Sequence, residues 1–328
     1  MPKTIPENCG LVADIGGTHC RFALADLDAR AIREPRSFAV ADYKGVVAAA
    51  KAFLKSEGVK KVPAALVFAV AGPVEDGRIH FTNSGWSFSE SELRRELGVK
   101  RARLVNDFEA QARSVAVLKP AALVRIGGPK TFDAKADGTI ALIGPGTGLG
   151  VGGLARQDGA CIALVCEGGH ASFAPSDELE IGVLELLAKR FGHVSNERLL
   201  SGPGLANLFG AMAKIEGVKR KTPAPERITA AALAYPKSFE AHVFARFCAI
   251  LGSVAGDVAL TMGARAGVLI AGGILPNAVE VFRRSEFRAR FEAKGRFADY
   301  LKAIPTRLIV EPQAGLIGAA AILRDQAA

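Results

Sequence analysis

One local pattern occurs twice in this chain, about 130 residues apart: an apolar run, a turn of glycines with a threonine, and a second apolar run. The first copy runs through residues 9–13, then Asp14-Ile-Gly-Gly-Thr18, then residues 22–25. The second runs through residues 139–143, then Gly144-Pro-Gly-Thr-Gly-Leu-Gly150, then Val151 onward. Strand, glycine turn, strand is the reading of each. A supersecondary unit used twice predicts a duplicated α/β architecture with a cleft between its halves. With 328 residues the chain suits two domains of ordinary size. It can bury about three quarters of its unfolded surface, so neither disulfides nor a structural metal is needed.

Between these copies the pattern continues in short elements. Residues 64–70 are apolar without a break, as a strand buried on both faces requires. Residues 36–39 and 103–105 read as further strands, 45–57 as a helix stopped at Gly58, and 107–118 as another helix. Ser89-x-x-Glu92 is a capping box that opens a helix to Leu97, with Gly98 past its end. A boundary at Lys119-Pro120 separates a small α/β domain, residues 1–118, from a large one, residues 119–311. The stretch 176–251 is helical in character, and 217–227, with its prolines and charges, reads as a surface loop. A helix over 315–323 is expected to return to the first half, completing the small domain with residues from about 312 to 328.

Composition mainly excludes. Hydrophobic residues make up 49% and charged residues 23%, ordinary globular usage that rules out disorder. The net charge of +9 is spread along the chain, and Lys219-Arg220-Lys221 is too short for a nucleic-acid patch. The longest charge-free stretch, residues 138–155, is shorter than the ~20 apolar residues a bilayer span needs. The N-terminus has no apolar segment behind a basic one. The five cysteines are scattered, as free thiols in a reducing cytosol are. Cys161 and Cys166 should face opposite sides of a strand, so no shared zinc is expected. A soluble cytoplasmic protein with no nucleic-acid or membrane partner is the expectation.

Three glycine turns carry the chemistry: Asp14-Ile-Gly-Gly-Thr18, the turn from Gly144 to Gly150, and Ala271-Gly-Gly273. Glycine lets backbone N–H groups approach an anion, and threonine adds a hydroxyl donor, so these turns read as phosphate cradles or simply as tight hairpins. No Walker sequence is present. Gly148-x-Gly150-x-x-Gly153 matches a dinucleotide fingerprint formally, but it runs toward another strand instead of opening a helix. Asp14 beside a cradle suits a Mg²⁺ held between carboxylate and phosphate, or a turn cap. Asn83, Asn106, Asp107, Glu167, His170 and Glu197 supply carboxylates and amides near the ends of apolar runs, a set suited to a polyol. Asp107 also reads as a helix cap, and His170 as a hydrogen-bond donor to substrate or a core histidine.

Asp14-Ile-Gly-Gly-Thr18, Leu104-Val-Asn-Asp-Phe108, Gly144-Pro-Gly-Thr-Gly-Leu-Gly-Val151, Glu167-Gly-Gly-His170, Glu197-Arg-Leu-Leu-Ser-Gly-Pro-Gly204 and Ala271-Gly-Gly-Ile274 together resemble bacterial glucokinases of the hexokinase/actin/Hsp70 ATPase superfamily. The resemblance implies a two-domain actin-like, ribonuclease H-like α/β fold with an interdomain cleft. It also implies ATP-dependent phosphorylation of glucose at the 6-hydroxyl, the first step of glycolysis, by a cytoplasmic homodimer. Asp107 would be the catalytic base, and Asn83, Asn106, Glu167, His170 and Glu197 would bind sugar. Asp14, Gly16, Gly17, Thr18, Gly146, Thr147 and Gly148 would hold ATP phosphates, with Mg²⁺ on Asp14 through water, and Gly272 and Gly273 would lie near the adenosine. His19 and Cys20 depart from the pattern after the threonine, and His19 is left unassigned. The zinc-carrying sugar kinases have a cysteine-rich segment where Ala171-Ser-Phe-Ala-Pro175 stands here, so no zinc is expected. A kinase for mannose, fructose or glucosamine, or a non-catalytic sugar sensor, are the alternatives.

Overall fold

The computed structural model describes residues 8–29, 31–81 and 85–326. The chain divides into two compact units, one running to Lys119 and resuming at Gln313, the other spanning Pro120–Pro312.

The first unit is built on strands β1 (Cys9–Ile15), β2 (His19–Asp26), β3 (Ala31–Ala39), β4 (Ala65–Val70) and a two-stranded pair β5 (Arg78–His80) and β6 (Ser87–Ser89), with β7 (Arg101–Asn106). Its main sheet has the order β3-β2-β1-β4-β7. β1 is antiparallel to β2 across the glycine turn and parallel to β4 on its other side. Side chains alternate across the sheet, so a continuous apolar strand serves two different cores. Leu11, Ala13, Ile15, Leu66, Phe68 and Val70 point to one face, where they meet helix α1 (Val46–Ser56) and helix α2 (Glu90–Leu97). Phe22, Phe53 and Phe68 pack there ring against ring. α1 buries Val46, Ala49, Ala50, Phe53 and Leu54, the i, i+3, i+4, i+7, i+8 stripe of an amphipathic helix. The predicted capping box is formed: Ser89 and Glu92 exchange side chain-to-backbone bonds, and Gly98 ends α2 in the left-handed region at φ 71°.

The opposite face uses small residues. Val12, Ala23, Ala65, Val67 and Ala69 meet Leu316, Ala319, Ala320 and Leu323 of the C-terminal helix. That helix, α11 (Ala314–Asp325), also crosses α3 (Asp107–Ser114) closely: a Cβ on Gly318 would stand 1.7 Å from the Ala110 carbonyl oxygen. The chain's last helix thus packs backbone to backbone against α3. α3 is shorter than the pattern over 107–118 suggests, and β3 is longer than 36–39, because its added residues pair with β2 around an irregular register.

The second unit carries β8 (Leu123–Gly127), β9 (Gly138–Pro145), β10 (Leu149–Gln157), β11 (Ala160–Cys166), β12 (Gly267–Ile270) and β13 (Thr306–Ile309), in the order β11-β10-β9-β12-β13-β8. Except for the added β8, this repeats the first sheet: hairpin, edge strand, then two parallel strands. Helices α4 (Glu178–Phe191), α5 (Gly202–Ile215), α6 (Pro225–Ala234), α7 (Phe239–Met262), α8 (Val279–Arg284), α9 (Phe287–Glu292) and α10 (Ala298–Lys302) complete it. The loop expected over 217–227 ends sooner, because Pro225, whose fixed φ suits a first helical residue, opens α6. α7 is long and apolar enough to cross a membrane, but 72% of its most apolar window is buried inside the protein. Glu180, 1% exposed, is held by Arg246 and Arg290 at 2.9–3.1 Å, so its buried charge is paired.

The α3–α11 crossing generates a prediction. Gly318→Ala forces a methyl group into the Ala110 carbonyl and should destabilise the first unit by about 1–3 kcal/mol. A urea denaturation midpoint equal to wild type would show that the crossing is looser than described.

Candidate active site

In the first unit the strands β1, β4 and β7 end together. Ile15 lies opposite Val70, and Val70 opposite Asn106. Open α/β sheets place their ligands outside such carboxyl ends. Asp14, the turn Gly16-Gly17-Thr18, Asn106 and Asp107 therefore share one edge of one sheet. The turn is closed by the Gly16 N–H donating to the His19 carbonyl at 2.9 Å. The hairpin register puts Arg21 opposite Asp14, with its Nη1 3.6 Å from Asp14 Oδ2. Burial pushes the Asp14 carboxyl above its usual range, and the Arg21 guanidinium only partly offsets this. The first turn of α11 presses close as well: a Cβ on Gly315 would lie 3.0 Å from Asp14 Oδ2.

Asn106 is the N-cap of α3. Its Oδ1 accepts from the Phe108 N–H at 2.8 Å, and its Nδ2 donates to the Gly72 carbonyl at 3.1 Å. Its amide thus serves the backbone, which orients the helix that starts at Asp107. Asp107 Oδ1 accepts from the Phe108 N–H at 2.9 Å.

In the second unit the residues gather around the start of β10. Glu197 Oε2 accepts the Leu149 N–H at 2.9 Å, and a Cβ on Gly148 would lie 2.5 Å from that oxygen. The Gly202 N–H donates to the Gly146 carbonyl at 2.8 Å. The segment 197–202 therefore grips the turn Gly146-Thr147-Gly148 at both ends. Gly169 packs its backbone on the Leu149 carbonyl, where a Cβ would stand 2.0 Å away. This brings in Glu167 and His170, whose Oε2 and Nε2 are 3.9 Å apart and whose side chains are exposed. The Asn196 N–H donates to the Ala171 carbonyl at 2.9 Å, tying the Glu167–His170 segment to the Glu197 segment. On the far side of the turn, Gly272 has φ 85°, and a Cβ on it would stand 2.2 Å from the Pro145 carbonyl oxygen. Only glycine satisfies both conditions. At Gly146 and Gly273, by contrast, a Cβ would meet nothing within 4 Å.

The second unit thus collects Glu167, His170, Glu197, Gly146, Thr147, Gly148 and Gly272, and the first collects Asp14, Gly16, Gly17, Thr18, Asn106 and Asp107. Asn83 lies outside the described residues. The formal fingerprint Gly148-x-Gly150-x-x-Gly153 runs from the turn into β10, which leads into β11 and opens no helix. A cavity of about 580 Å³ between α4, α5 and α6, lined in part by Leu187, Pro203, Ala206, Thr222 and Pro225, contains none of the predicted site residues. Sequence reading missed Arg21, Gly315 and the Leu149 amide. The first was accessible from the hairpin register, whereas the other two depend on contacts between segments far apart in sequence. Among the described residues no group of three or more His, Cys, Asp and Glu side chains is placed to hold a metal ion. Asp14 fits the other mode, one carboxylate with water and phosphate oxygens completing the shell, as Mg²⁺ binds.

A glucokinase from an Antarctic psychrotroph, solved as a crystal structure, matches 98% of this chain and 100% of its own with TM-score 0.85 and 36% identity. The fold is therefore the two-unit, actin-like α/β fold of sugar kinases. A glucokinase of Caulobacter sp. (strain K31) is 49% identical over 95% of this chain and 94% of its own length. One from Xanthomonas euvesicatoria pv. vesicatoria (strain 85-10) is 44% identical over 98% and 97%. The glucokinase family model matches residues 11–326. The chain belongs to the glucokinase family.

The state of Asp14 yields a stability prediction. A carboxyl whose folded value is raised adds stability below its ordinary range and loses it as pH rises through the folded value. Asp14→Asn removes that loss, so its Tm should exceed wild type at neutral pH, with the difference shrinking under acid conditions. Thermal melts across pH check this, and an Asn variant melting at or below wild type near pH 7 contradicts it.

Proposed function

We propose that this protein transfers the terminal phosphoryl group of ATP to the 6-hydroxyl of D-glucose, forming glucose 6-phosphate and ADP, the entry step of glycolysis in the cytoplasm. The observation that carries the reading is the assembly of Glu167, His170 and Glu197 around a glycine turn, in a chain that the glucokinase family model matches over residues 11–326. Carboxylates accept hydrogen bonds from vicinal hydroxyls, and His170 adds a group that donates or accepts. An analogue lacking one hydroxyl leaves a site acceptor unpaired, which is how such a site selects its sugar.

Asp107 takes the proton from the glucose 6-hydroxyl as that oxygen bonds to the γ-phosphorus. The bond from that phosphorus to the β–γ bridging oxygen breaks, and ADP leaves with the bridging oxygen. Asn106, by capping α3, sets the direction of the Asp107 side chain. The turns at Gly16, Gly17, Thr18 and at Gly146, Thr147, Gly148 present backbone N–H groups and threonine hydroxyls to the phosphates. The open space over Gly146 supports this, since no protein contact there requires glycine. Gly272 and Gly273 take the adenosine side. Mg²⁺ bound near Asp14 through water would neutralise charge developing on the phosphate oxygens. The superfamily is that of hexokinase, actin and Hsp70, and the working form is a homodimer.

A coupled assay with purified protein, Mg-ATP and a panel of hexoses tests the substrate, and the expected result is ADP release fastest with glucose. Preference for mannose, fructose or glucosamine would move the assignment to that sugar, and no release with any hexose would end it. Asp107→Ala should lower kcat about 10²–10⁴-fold with glucose affinity largely kept, as measured by steady-state kinetics and glucose titration. Near-normal turnover in that variant removes Asp107 as the base.

A further inference from the structure

We propose that Glu197 is a positioning residue for the Gly146-Thr147-Gly148 turn, in addition to accepting from the sugar, and that it sets the affinity of that turn for nucleotide phosphates. The inference rests on reading the turn as a phosphate cradle. Its basis is one carboxylate with two addresses. Oε2 accepts the Leu149 N–H at 2.9 Å, at the residue that closes the turn and begins β10. The missing side chain of Gly148 is what admits this oxygen, since a Cβ there would stand 2.5 Å from it. The main chain of Glu197 is anchored independently. Its carbonyl accepts from Ser201 Oγ at 2.9 Å, that same oxygen caps α5 by accepting from the Gly204 N–H at 2.9 Å, and Gly202 bonds to Gly146 at 2.8 Å. The carboxylate thus projects from a braced segment onto a turn whose glycines have little conformational restraint of their own.

A hydrogen bond to an ionised acceptor is stronger than a neutral one. Here it holds the turn in one conformation before any phosphate arrives, so less ordering remains to be done on binding. Oε1 is left for a sugar hydroxyl. A sugar that immobilises the carboxylate in its present rotamer also immobilises the turn, which couples the two substrates with positive sign.

The test is calorimetric titration of Mg-ADP into sugar-free enzyme, with hydrogen exchange at the Leu149 amide as a readout independent of activity. Glu197→Ala should raise the Mg-ADP Kd about tenfold and speed exchange at Leu149. Glu197→Gln keeps an oxygen for the Leu149 N–H but loses its charge, so it should fall between wild type and Glu197→Ala in both while losing glucose affinity. Gly148→Ala displaces the carboxylate from the turn, so it should mimic Glu197→Ala, and the double variant should add little to either. Gly148→Ala also serves if Glu197→Ala melts below the assay temperature. Thr147→Ala separates the two readings. If it weakens Mg-ADP and Glu197→Ala does not, the positioning role is overturned and the cradle stands. If neither affects Mg-ADP, the cradle falls and the inference falls with it.

Discussion

A strand that is antiparallel to one neighbour and parallel to the other is the element around which each unit is built. β1 lies between β2 and β4, and β9 between β10 and β12, in the same sense. The antiparallel partner is reached through a short glycine turn, and the parallel partner runs beside the same strand to end near that turn. The geometry of pairing therefore brings a glycine turn and the ends of several strands to one edge. The strand ends deliver Asp14 and Asn106 to that edge, whereas Glu197 reaches its turn through the packing of the 196–202 segment. β4, parallel to both of its neighbours β1 and β7, has no solvent-facing side and is buried along its whole length.

Glycines divide into two kinds around this edge. Gly169, Gly272 and Gly318 stand where one backbone touches another, and a methyl group at any of them would overlap a carbonyl oxygen. They allow segments to approach more closely than side chains permit. Gly146 and Gly273 have no such neighbour. Their lack of a side chain answers to no protein contact and leaves open space beside the backbone.

Carboxylates divide in the same way. Asp177 and Glu180 are gripped by Arg246, and Arg290 adds further bonds to Glu180, so the charge buried at the start of α4 is fully answered. Asp14 has only a 3.6 Å approach from Arg21, and Glu167 only a 3.9 Å approach from His170. For the carboxyl of Asp14, which burial pushes toward its neutral form, charge without a close partner is costly, whereas the exposed Glu167 keeps its hydration. Glu197 shares in the framework, with one carboxylate oxygen bound to the backbone of Leu149.

Much of this was legible along the chain because it depends on local chemistry. The capping box at Ser89, the glycine stops at Gly58 and Gly98, the doubled strand–turn–strand and the polar residues at strand ends are set by dihedral preferences and by the period of apolar residues. Those forces act within a few positions. The end of α3 at Ser114 and the opening of α6 at Pro225 were misjudged by local pattern, because neighbouring residues there support either state and packing chooses. Capping at the start of α3 was readable, though it falls to Asn106 and not to Asp107, whereas the grip of Glu197 on Leu149 and the approach of Gly315 to Asp14 were not readable at all. Each joins segments separated by up to 300 positions, or spends a side chain on a backbone group that only folding brings near. Residue type and spacing determined which groups were available and at which strand ends they stood. Tertiary packing decided which of them face a ligand and which are consumed in holding the others still, because a hydrogen bond forms only where three-dimensional proximity repays the loss of water.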